Sequence, residues 1–266
     1  MPILGIDYEK CINCMECVRD CPAFLYHENE EGKLIYADPN NRCILCGHCI
    51  SVCPEDAILY EDMGETFTFE GIRNLESIIS YKDIFKFLSA LRVVRRYKKD
   101  KIPEDIIEKI LNVMQYAPTG ANIRSENFTV ISDFEILEEI SIAIRQAIES
   151  HPNLKARFGP TFKNLQDEGK NLFFNAPHLI IVHTQIPLNM NYINIGNIIT
   201  YGRLAAQALG LGTCYHGWTQ MALEINKKIK RLIRASGTTA CAFTLGYPSV
   251  KYYRVPPRTP KRVRKV

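Results

Sequence analysis

The sequence predicts an α+β protein of two domains, in which a small cysteine-rich domain precedes a larger domain of helices around a mixed sheet. Eight of the ten cysteines lie within residues 11–53. Beyond them, short apolar runs rich in β-branched residues alternate with segments of helical periodicity. Charge divides the chain similarly: residues 1–80 hold 5 Lys and Arg against 15 Asp and Glu, whereas residues 81–266 hold 28 against 14. We therefore expect domains at 1–62 and 81–266, joined by a connector at 63–80.

The composition is that of a water-soluble protein, with 46% apolar residues. No segment approaches the roughly 18 consecutive apolar residues that a membrane-spanning helix needs. The opening residues, Met1–Gly5, lack the charged and apolar blocks of a signal peptide. We therefore expect a cytoplasmic protein that binds no membrane. Because nothing indicates an oxidising compartment, we do not expect the cysteines to form disulfides.

Two cysteine arrays occur in the small domain, and each reads C-x2-C-x2-C-x3-C-P. This is the ligand pattern of bacterial ferredoxins with two 4Fe–4S clusters, in which the fourth cysteine of each array binds the neighbouring cluster. The sequence therefore predicts two clusters with crossed ligands. One would be held by Cys11, Cys14, Cys17 and Cys53, and the other by Cys43, Cys46, Cys49 and Cys21.

Structural zinc is the alternative for these arrays. Zinc sites in proteins use four Cys or His ligands, usually in well-separated pairs, and two consecutive arrays of four cysteines with trailing prolines fit that pattern poorly. His48 lies inside the second array, but the array already supplies four thiolates, so we expect His48 at the surface. A domain this small has little apolar core, and loss of the metal should unfold it.

The larger domain contains helices and strands that can be placed one by one. Pro103 stands at the first position of a helix that should run to about Tyr116, with acidic residues in its first turn. Apolar runs rich in β-branched residues predict strands at 128–131, 179–182 and 241–246. Helical periodicity recurs at 134–149, 195–209 and 222–235.

Four short motifs follow one another in the larger domain: Leu91–Tyr97, Ala117–Arg124, Leu209–Gly217 and Leu245–Pro248. In this order and spacing they resemble the nitroreductase family over about residues 81–266. The resemblance implies an α+β flavoprotein fold and a homodimer that holds FMN at the subunit interface.

The resemblance also implies which residues contact FMN. The phosphate of FMN favours guanidinium groups, and a glycine-rich turn at 210–217 would let backbone approach the flavin ring. Since the N5 atom of the flavin carries the chemistry, no catalytic side chain is required, and His216 is the one candidate. The expected contacts are Arg92, Val93, Arg95, Pro118, Thr119, Asn122, Arg124, Tyr215, His216, Gly217 and Arg258.

The chain departs from the family pattern at three positions in these motifs. The family usually has an arginine where this chain has Leu91, so the phosphate would depend on Arg92, Arg258 or another cation. Val93 replaces a serine that often contacts the ring through its backbone. Arg124 replaces a common glutamine, which would place a positive charge near the flavin and favour its anionic reduced form.

Other features of the larger domain favour structural roles. The basic stretch 92–101 has one aromatic residue and no accompanying nucleic-acid motif, so we expect no nucleic-acid binding. Lys261–Lys265 has no lipidation motif that would anchor it to a membrane. Cys214 and Cys241 are expected to be small buried residues, and His178 and His183 to be packed or hydrogen-bonded.

The function predicted from these features is a reductase of the kind found in an anaerobe. An external low-potential donor would load the clusters, and FMN would pass a hydride to a small acceptor such as a nitroaromatic, quinone or enone. One alternative is an electron-transfer relay or redox sensor without substrate turnover, which a flavin face sealed by segment 151–175 would favour. Another is direct reduction of FMN by NAD(P)H, with the clusters in a structural role.

Overall fold

A computed structural model describes residues 2–235, 237 and 239–265. The chain divides into two units. The first unit comprises Met1–Leu75 and the short segment Gly120–Arg124; the second comprises Glu76–Thr119 and Ser125–Val266. The boundary after Leu75 falls inside the connector that the sequence predicts. No helix among the described residues is both long and apolar enough to cross a bilayer.

The first unit consists of two antiparallel two-stranded sheets and two short helices. Strand β1 pairs with β4 and strand β2 with β3. One helix lies within each cysteine array, after its second cysteine. The elements are β1 Ile3–Ile6, α1 Glu16–Asp20, β2 Tyr26–Glu28, β3 Leu34–Tyr36, α2 His48–Val52 and β4 Ile58–Tyr60.

The two arrays have matching backbone conformations. At three equivalent positions in each array the residue has a positive φ, and only one of the six is glycine. This left-handed conformation is unfavourable for residues with a Cβ atom and persists where the surroundings enforce it. The repeated sequence therefore forms a repeated loop. The equivalent pairs are Asn13 and Leu45, Met15 and Gly47, and Phe24 and Asp56.

The second unit is a four-stranded sheet with helices on both faces. Its elements are α3 Tyr81–Ala90, α4 Glu104–Met114, β5 Glu126–Ile131, α5 Phe134–Glu149, α6 Pro152–Asp167, β6 His178–Thr184, α7 Asn191–Ala208, β7 Gly212–Tyr215, α8 Gly217–Ile225, α9 Ile229–Leu232 and β8 Thr239–Gly246. The strand order is β5-β6-β8-β7, and all three strand pairs are antiparallel. An isolated bridge between Val93 and Thr213 is parallel, so the sheet has both parallel and antiparallel pairing, as the sequence predicts.

Strand β6 separates two hydrophobic cores. Leu179 and Ile181 face the core formed with α5, α6, α8 and α9, whereas Ile180 and Val182 face the core formed with α4 and α7. Every residue of β6 is buried. Because both faces are covered, the strand is a continuous apolar run, which explains why the sequence revealed it.

The structure confirms most predicted elements of the second unit and corrects two. The predicted strands lie within β5, β6 and β8, and the predicted helix from Pro103 is α4. The prediction of one helix at 222–235 is wrong, because Asn226 adopts an extended conformation between α8 and α9. The predicted turn at 210–217 is largely strand β7, whose residues pair with β8.

Candidate metal centres and cofactor site

The eight array cysteines line two separate cavities of similar size. The first sulfur cavity, of about 330 Å³, is lined by Cys11, Cys14, Cys17 and Cys53. The second, of about 360 Å³, is lined by Cys21, Cys43, Cys46 and Cys49. This grouping is the one that crossed ligation requires. We call the group that the first cavity would hold the first cluster, and the group in the other cavity the second cluster.

The thiols of each cavity influence one another. Burial, together with the neighbouring Cys14, Cys53 and Cys11 sulfurs, raises the pKa of Cys17 to about 11. The Cys17 thiol therefore does not ionise readily unless a cationic group binds it. No three His, Cys, Asp or Glu side chains of the described residues converge tightly enough for a single metal ion. A 4Fe–4S cluster is larger and spreads its four thiolates around its corners.

Backbone N–H groups point at the fourth cysteine of each array. Leu25 N donates to Cys21 Sγ at 3.5 Å, and Ala57 N donates to Cys53 Sγ at 3.3 Å. Both donors lie four residues after the cysteine that they contact. The two cavities thus provide the same backbone hydrogen bond to a ligand sulfur, which fits an anionic cluster in each.

Two tyrosines distinguish the second cavity. Tyr26 and Tyr36 line it, with ring centroids 5.0 Å apart. Both hydroxyl oxygens are buried and have no oxygen or nitrogen partner among the described residues. Burial raises the pKa of Tyr26, and the neighbouring Cys49 sulfur raises it further. A buried hydroxyl is costly without an acceptor, so these two fit a cavity that contains one.

The second predicted flavin motif is divided between the units. Pro118 and Thr119 belong to the second unit, where the Pro118 carbonyl accepts a hydrogen bond from Asn197 at 3.2 Å. Asn122 and Arg124 belong to the first unit. Asn122 Nδ2 donates to Leu45 O at 2.7 Å and to Ile44 O at 3.0 Å, which lie in the loop of the second cysteine array.

The first and third motifs meet in the second unit. Val93 forms a β-bridge with Thr213, and Val94 N donates to Thr213 O at 2.9 Å. Gly212 permits this approach, because a Cβ atom there would lie 2.7 Å from Val94 Cγ2. The fourth motif joins the same region, since Lys98 N donates to Tyr247 O at 2.9 Å. The motifs that the sequence identifies separately therefore converge.

Arginines surround strand β7 at this point. Arg92 donates to Ser89 O through Nη2, and its buried Nε has no partner among the described residues. Arg203 is half-buried and donates to Thr213 Oγ1 at 3.2 Å. No sequence motif indicated this residue. Arg95 and Arg203 both lower the pKa of Cys214, although burial raises it more. None of the three arginines pairs with a carboxylate in the described part of the chain.

This group of cations fits the phosphate of FMN. The unpartnered Nε of Arg92 is a buried donor that a phosphate oxygen would satisfy. Burial lowers the pKa of Arg203, as expected for a guanidinium that lacks a counter-anion in its surroundings. Arg258 is exposed, in a C-terminal segment without regular structure. This chain has Leu91 where the family usually has an arginine. A cation other than Arg258 is thus available for the phosphate.

The remaining predicted contacts lie where β7 ends. Tyr215 is 37% exposed and its hydroxyl contacts Gln220 Oε1 at 3.2 Å. Gly217 is the first residue of α8. His216 is buried, with Nδ1 at 2.7 Å from Thr219 Oγ1 and Nε2 at 2.9 Å from Leu172 O. Burial lowers its pKa to about 4. Since both ring nitrogens are occupied, His216 is a packing residue here and not a candidate catalyst.

Comparison with known proteins agrees with this geometry. Residues 90–247 match the family model described as the nitroreductase family, and residues 10–58 match the 4Fe–4S dicluster domain. The chain belongs to the nitroreductase family. Among solved structures, the FMN-bound nitroreductase of Bacteroides fragilis aligns with a TM-score of 0.55 at 22% identity, covering 68% of this chain and 99% of that one. This likeness shows the fold of the second unit.

Curated relatives match over shorter stretches. The chain is 28% identical over 127 residues to iodotyrosine deiodinase of Daphnia pulex, and 29% identical over 115 residues to an NADH-quinone oxidoreductase subunit I of Symbiobacterium thermophilum. These alignments cover 45% and 39% of this chain, and 41% and 44% of the relatives. The chain therefore spans less than half the length of either relative.

The family models and the two sulfur cavities agree on the two parts of the chain. It is a member of the nitroreductase family whose first unit contains a 4Fe–4S dicluster domain.

Proposed function

We propose that this protein passes electrons from its two 4Fe–4S clusters to FMN and then, as a hydride, to a small organic acceptor of the nitroaromatic, quinone or enone type. The observation that carries this proposal is the grouping of eight cysteines into two four-sulfur cavities, in a chain whose other unit belongs to a flavin-dependent family. When bound, the clusters supply one-electron transfer, and FMN links it to two-electron chemistry.

The side chains of the second unit would bind and orient FMN. Arg92, Arg95 and Arg203 supply the positive charge for its phosphate, and the Val93–Thr213 bridge fixes the backbone beside them. Tyr215 and Gly217 lie at the end of the same strand. No described side chain there needs to act as a nucleophile, because the residues position the cofactor and exclude water.

We further propose that the protein acts as a homodimer with a cytoplasmic low-potential donor. The long exposed apolar residues of α3 support a partner surface: Tyr81 is 80% exposed, Phe85 58% and Leu88 47%. By resemblance to the family, Thr119, Asn122 and Arg124 would contact the flavin ring, and Arg258 is a further candidate for its phosphate. Pro118 holds the second motif against α7 through Asn197.

Anaerobic purification with quantification of iron and FMN tests the proposal. We expect about eight irons and one FMN per chain. On addition of reduced methyl viologen, followed by EPR and absorbance, FMN should be reduced at least tenfold more slowly in Cys14→Ser than in the wild type. Cys241→Ser is the matched control, because Cys241 is buried outside both cavities, and it should keep its iron and its rate.

Three outcomes separate the proposal from its alternatives. Equal rates of FMN reduction in Cys14→Ser and the wild type would contradict passage through the clusters. Reduction of FMN by NADH at the same rate in both would favour direct reduction by a nicotinamide. Reduced protein that fails to transfer hydride to nitrobenzene, a benzoquinone or an enone would favour a relay.

A further inference from the structure

The two sulfur cavities have the same backbone but different linings. Tyr26 lies five residues after Cys21 and lines the second cavity, whereas Ile58 lies five residues after Cys53 and lines the first. These two positions correspond in the repeated fold. Among the described residues, the first cavity has no hydroxyl in its lining. Its other side chains outside the cysteines include the apolar residues Ile6, Leu34 and Ala57.

The two tyrosine hydroxyls of the second cavity need an acceptor. Tyr26 is only 4% exposed, and the hydroxyl oxygens of Tyr26 and Tyr36 are both buried without an oxygen or nitrogen partner in the described chain. The Tyr26 hydroxyl interacts with the Cys49 sulfur, which is itself a predicted ligand of the second cluster. Leaving a buried donor unsatisfied costs about 1–3 kcal/mol. The sulfur atoms of a bound cluster would be acceptors inside the same cavity, because hydrogen bonds to cluster and ligand sulfurs are a general feature of such sites.

We infer that Tyr26 and Tyr36 donate hydrogen bonds to sulfur atoms of the second cluster and so hold it at a higher reduction potential than the first. Reduction adds one negative charge to a cluster, and O–H donors stabilise that added charge. With both clusters bound, the second cluster would therefore accept an electron from the reduced first cluster. No bond forms or breaks in this step, and no proton is transferred.

The other polar groups of the two cavities nearly match. Each fourth cysteine accepts one backbone N–H bond. Each cavity also has one carboxylate close by: Asp38 accepts hydrogen bonds from the Cys43 and Arg42 N–H groups, and Glu55 lines the first cavity. A carboxylate disfavours added negative charge at both sites. His48 also lines the second cavity, but it is exposed. The tyrosine pair is thus the buried difference in hydrogen bonding between the two cavities.

The second cluster also lies on the loop that contacts a predicted flavin residue. The Ile44 and Leu45 carbonyls of this loop accept hydrogen bonds from Asn122. Ala121 and Asn122 both have positive φ, a costly pair of conformations for residues with a Cβ atom. If Asn122 contacts the flavin as the family resemblance implies, the second cluster would be the exit for electrons, an assignment that rests on the proposed transfer to FMN.

Redox titration of the holoprotein followed by EPR tests the inference. In Tyr26→Phe/Tyr36→Phe, the potential of one cluster should fall while the other stays constant. We expect the ratio of reduced to oxidised second cluster at a given potential to fall about tenfold, which is about 59 mV for one electron. Ile58→Tyr adds a phenol at the corresponding place of the first cavity. It should raise the potential of the first cluster, which the double tyrosine variant leaves unchanged.

Tyr60→Phe is the matched control. The Tyr60 hydroxyl contacts Thr66 Oγ1 and lines neither cavity, so this variant should leave both potentials unchanged. Unchanged potentials in the double variant, or equal shifts of both clusters, would overturn the inference. Loss of iron from each of the single variants Tyr26→Phe and Tyr36→Phe would also overturn it, because the hydroxyls would then hold the cluster and not tune it. Iron and FMN contents measured on the same samples report separately on the proposed function.

Discussion

The two units of this protein maintain their folds by different means. The buried apolar set of the first unit has eight residues, and two of them are the cysteines Cys17 and Cys49. The second unit has two full hydrophobic cores on either side of its sheet. The first unit also contains several non-glycine residues with positive φ in its cysteine loops. A small core and a strained backbone imply that the clusters supply much of the stability of the first unit.

Iron removal should therefore affect one unit and spare the other, and this is the largest effect that we expect. After anaerobic chelation, trypsin should cleave the chain within its first 75 residues and after Arg124. The second site follows because Arg124 lies in the short segment Gly120–Arg124, which the loop of the second array holds through Asn122. The fluorescence of Trp218, the only tryptophan, should remain that of a partly buried residue packed on Phe162. Mass spectrometry of the fragments measures the first effect.

A chelator already saturated with iron is the control for this experiment and should cause no new cleavage. If the first unit resisted trypsin without iron, or if Trp218 became exposed at the same time, the contrast between the units would be wrong.

Acid should destabilise the second unit through two buried histidines. Burial lowers the pKa of both His178 and His216 to about 4, whereas histidine in an unfolded chain titrates near pH 6.5. Between these values the unfolded chain binds protons that the native protein does not. The free energy of unfolding should thus be constant above about pH 6.5 and fall by about 1.4 kcal/mol per pH unit and histidine as the pH falls towards 4.

Denaturant unfolding followed by Trp218 fluorescence measures this dependence, because the Trp218 ring lies edge-on to His216, with centroids 5.5 Å apart. His216→Gln should reduce the slope by about half. His151→Gln, at an exposed position of the same unit, should leave the slope unchanged. Equal unfolding free energies at pH 5 and pH 7.5 in the wild type would contradict the prediction.

The features that the sequence revealed are those encoded by local spacing. The cysteine arrays fix which sulfurs can share a cavity, and the run 179–182 is apolar throughout because both of its faces are buried. The sequence missed α6, which contains Pro160, a residue that normally ends a helix. It also joined α8 to α9, although the Asn226 side chain accepts a hydrogen bond from Lys228 N and competes with the helix.

The parts of the site that the sequence missed depend on long-range contacts. Arg203 occupies one position of a regular helix, and only its approach to Thr213 distinguishes it from other arginines. The hydrogen bond from Asn122 to Leu45 O in the cysteine loop joins residues 77 positions apart. His216 was selected because its motif borders the expected flavin, yet the Leu172 carbonyl, 44 residues away, occupies its Nε2 atom.

The smallest predicted effect concerns the phosphate of FMN in the second unit, where binding depends on charge more than on packing. Arg203→Gln should weaken FMN binding about tenfold, or about 1.4 kcal/mol, because it removes one guanidinium beside β7. Binding of riboflavin, which lacks the phosphate, should change little.

Arg145→Gln makes the same change in charge at a residue that contacts Gln166 on α6 and should bind both ligands like the wild type. Flavin fluorescence titration of apoprotein measures both affinities, and an equal loss of riboflavin and FMN affinity in Arg203→Gln would show that Arg203 supports the fold of the site and does not bind the phosphate.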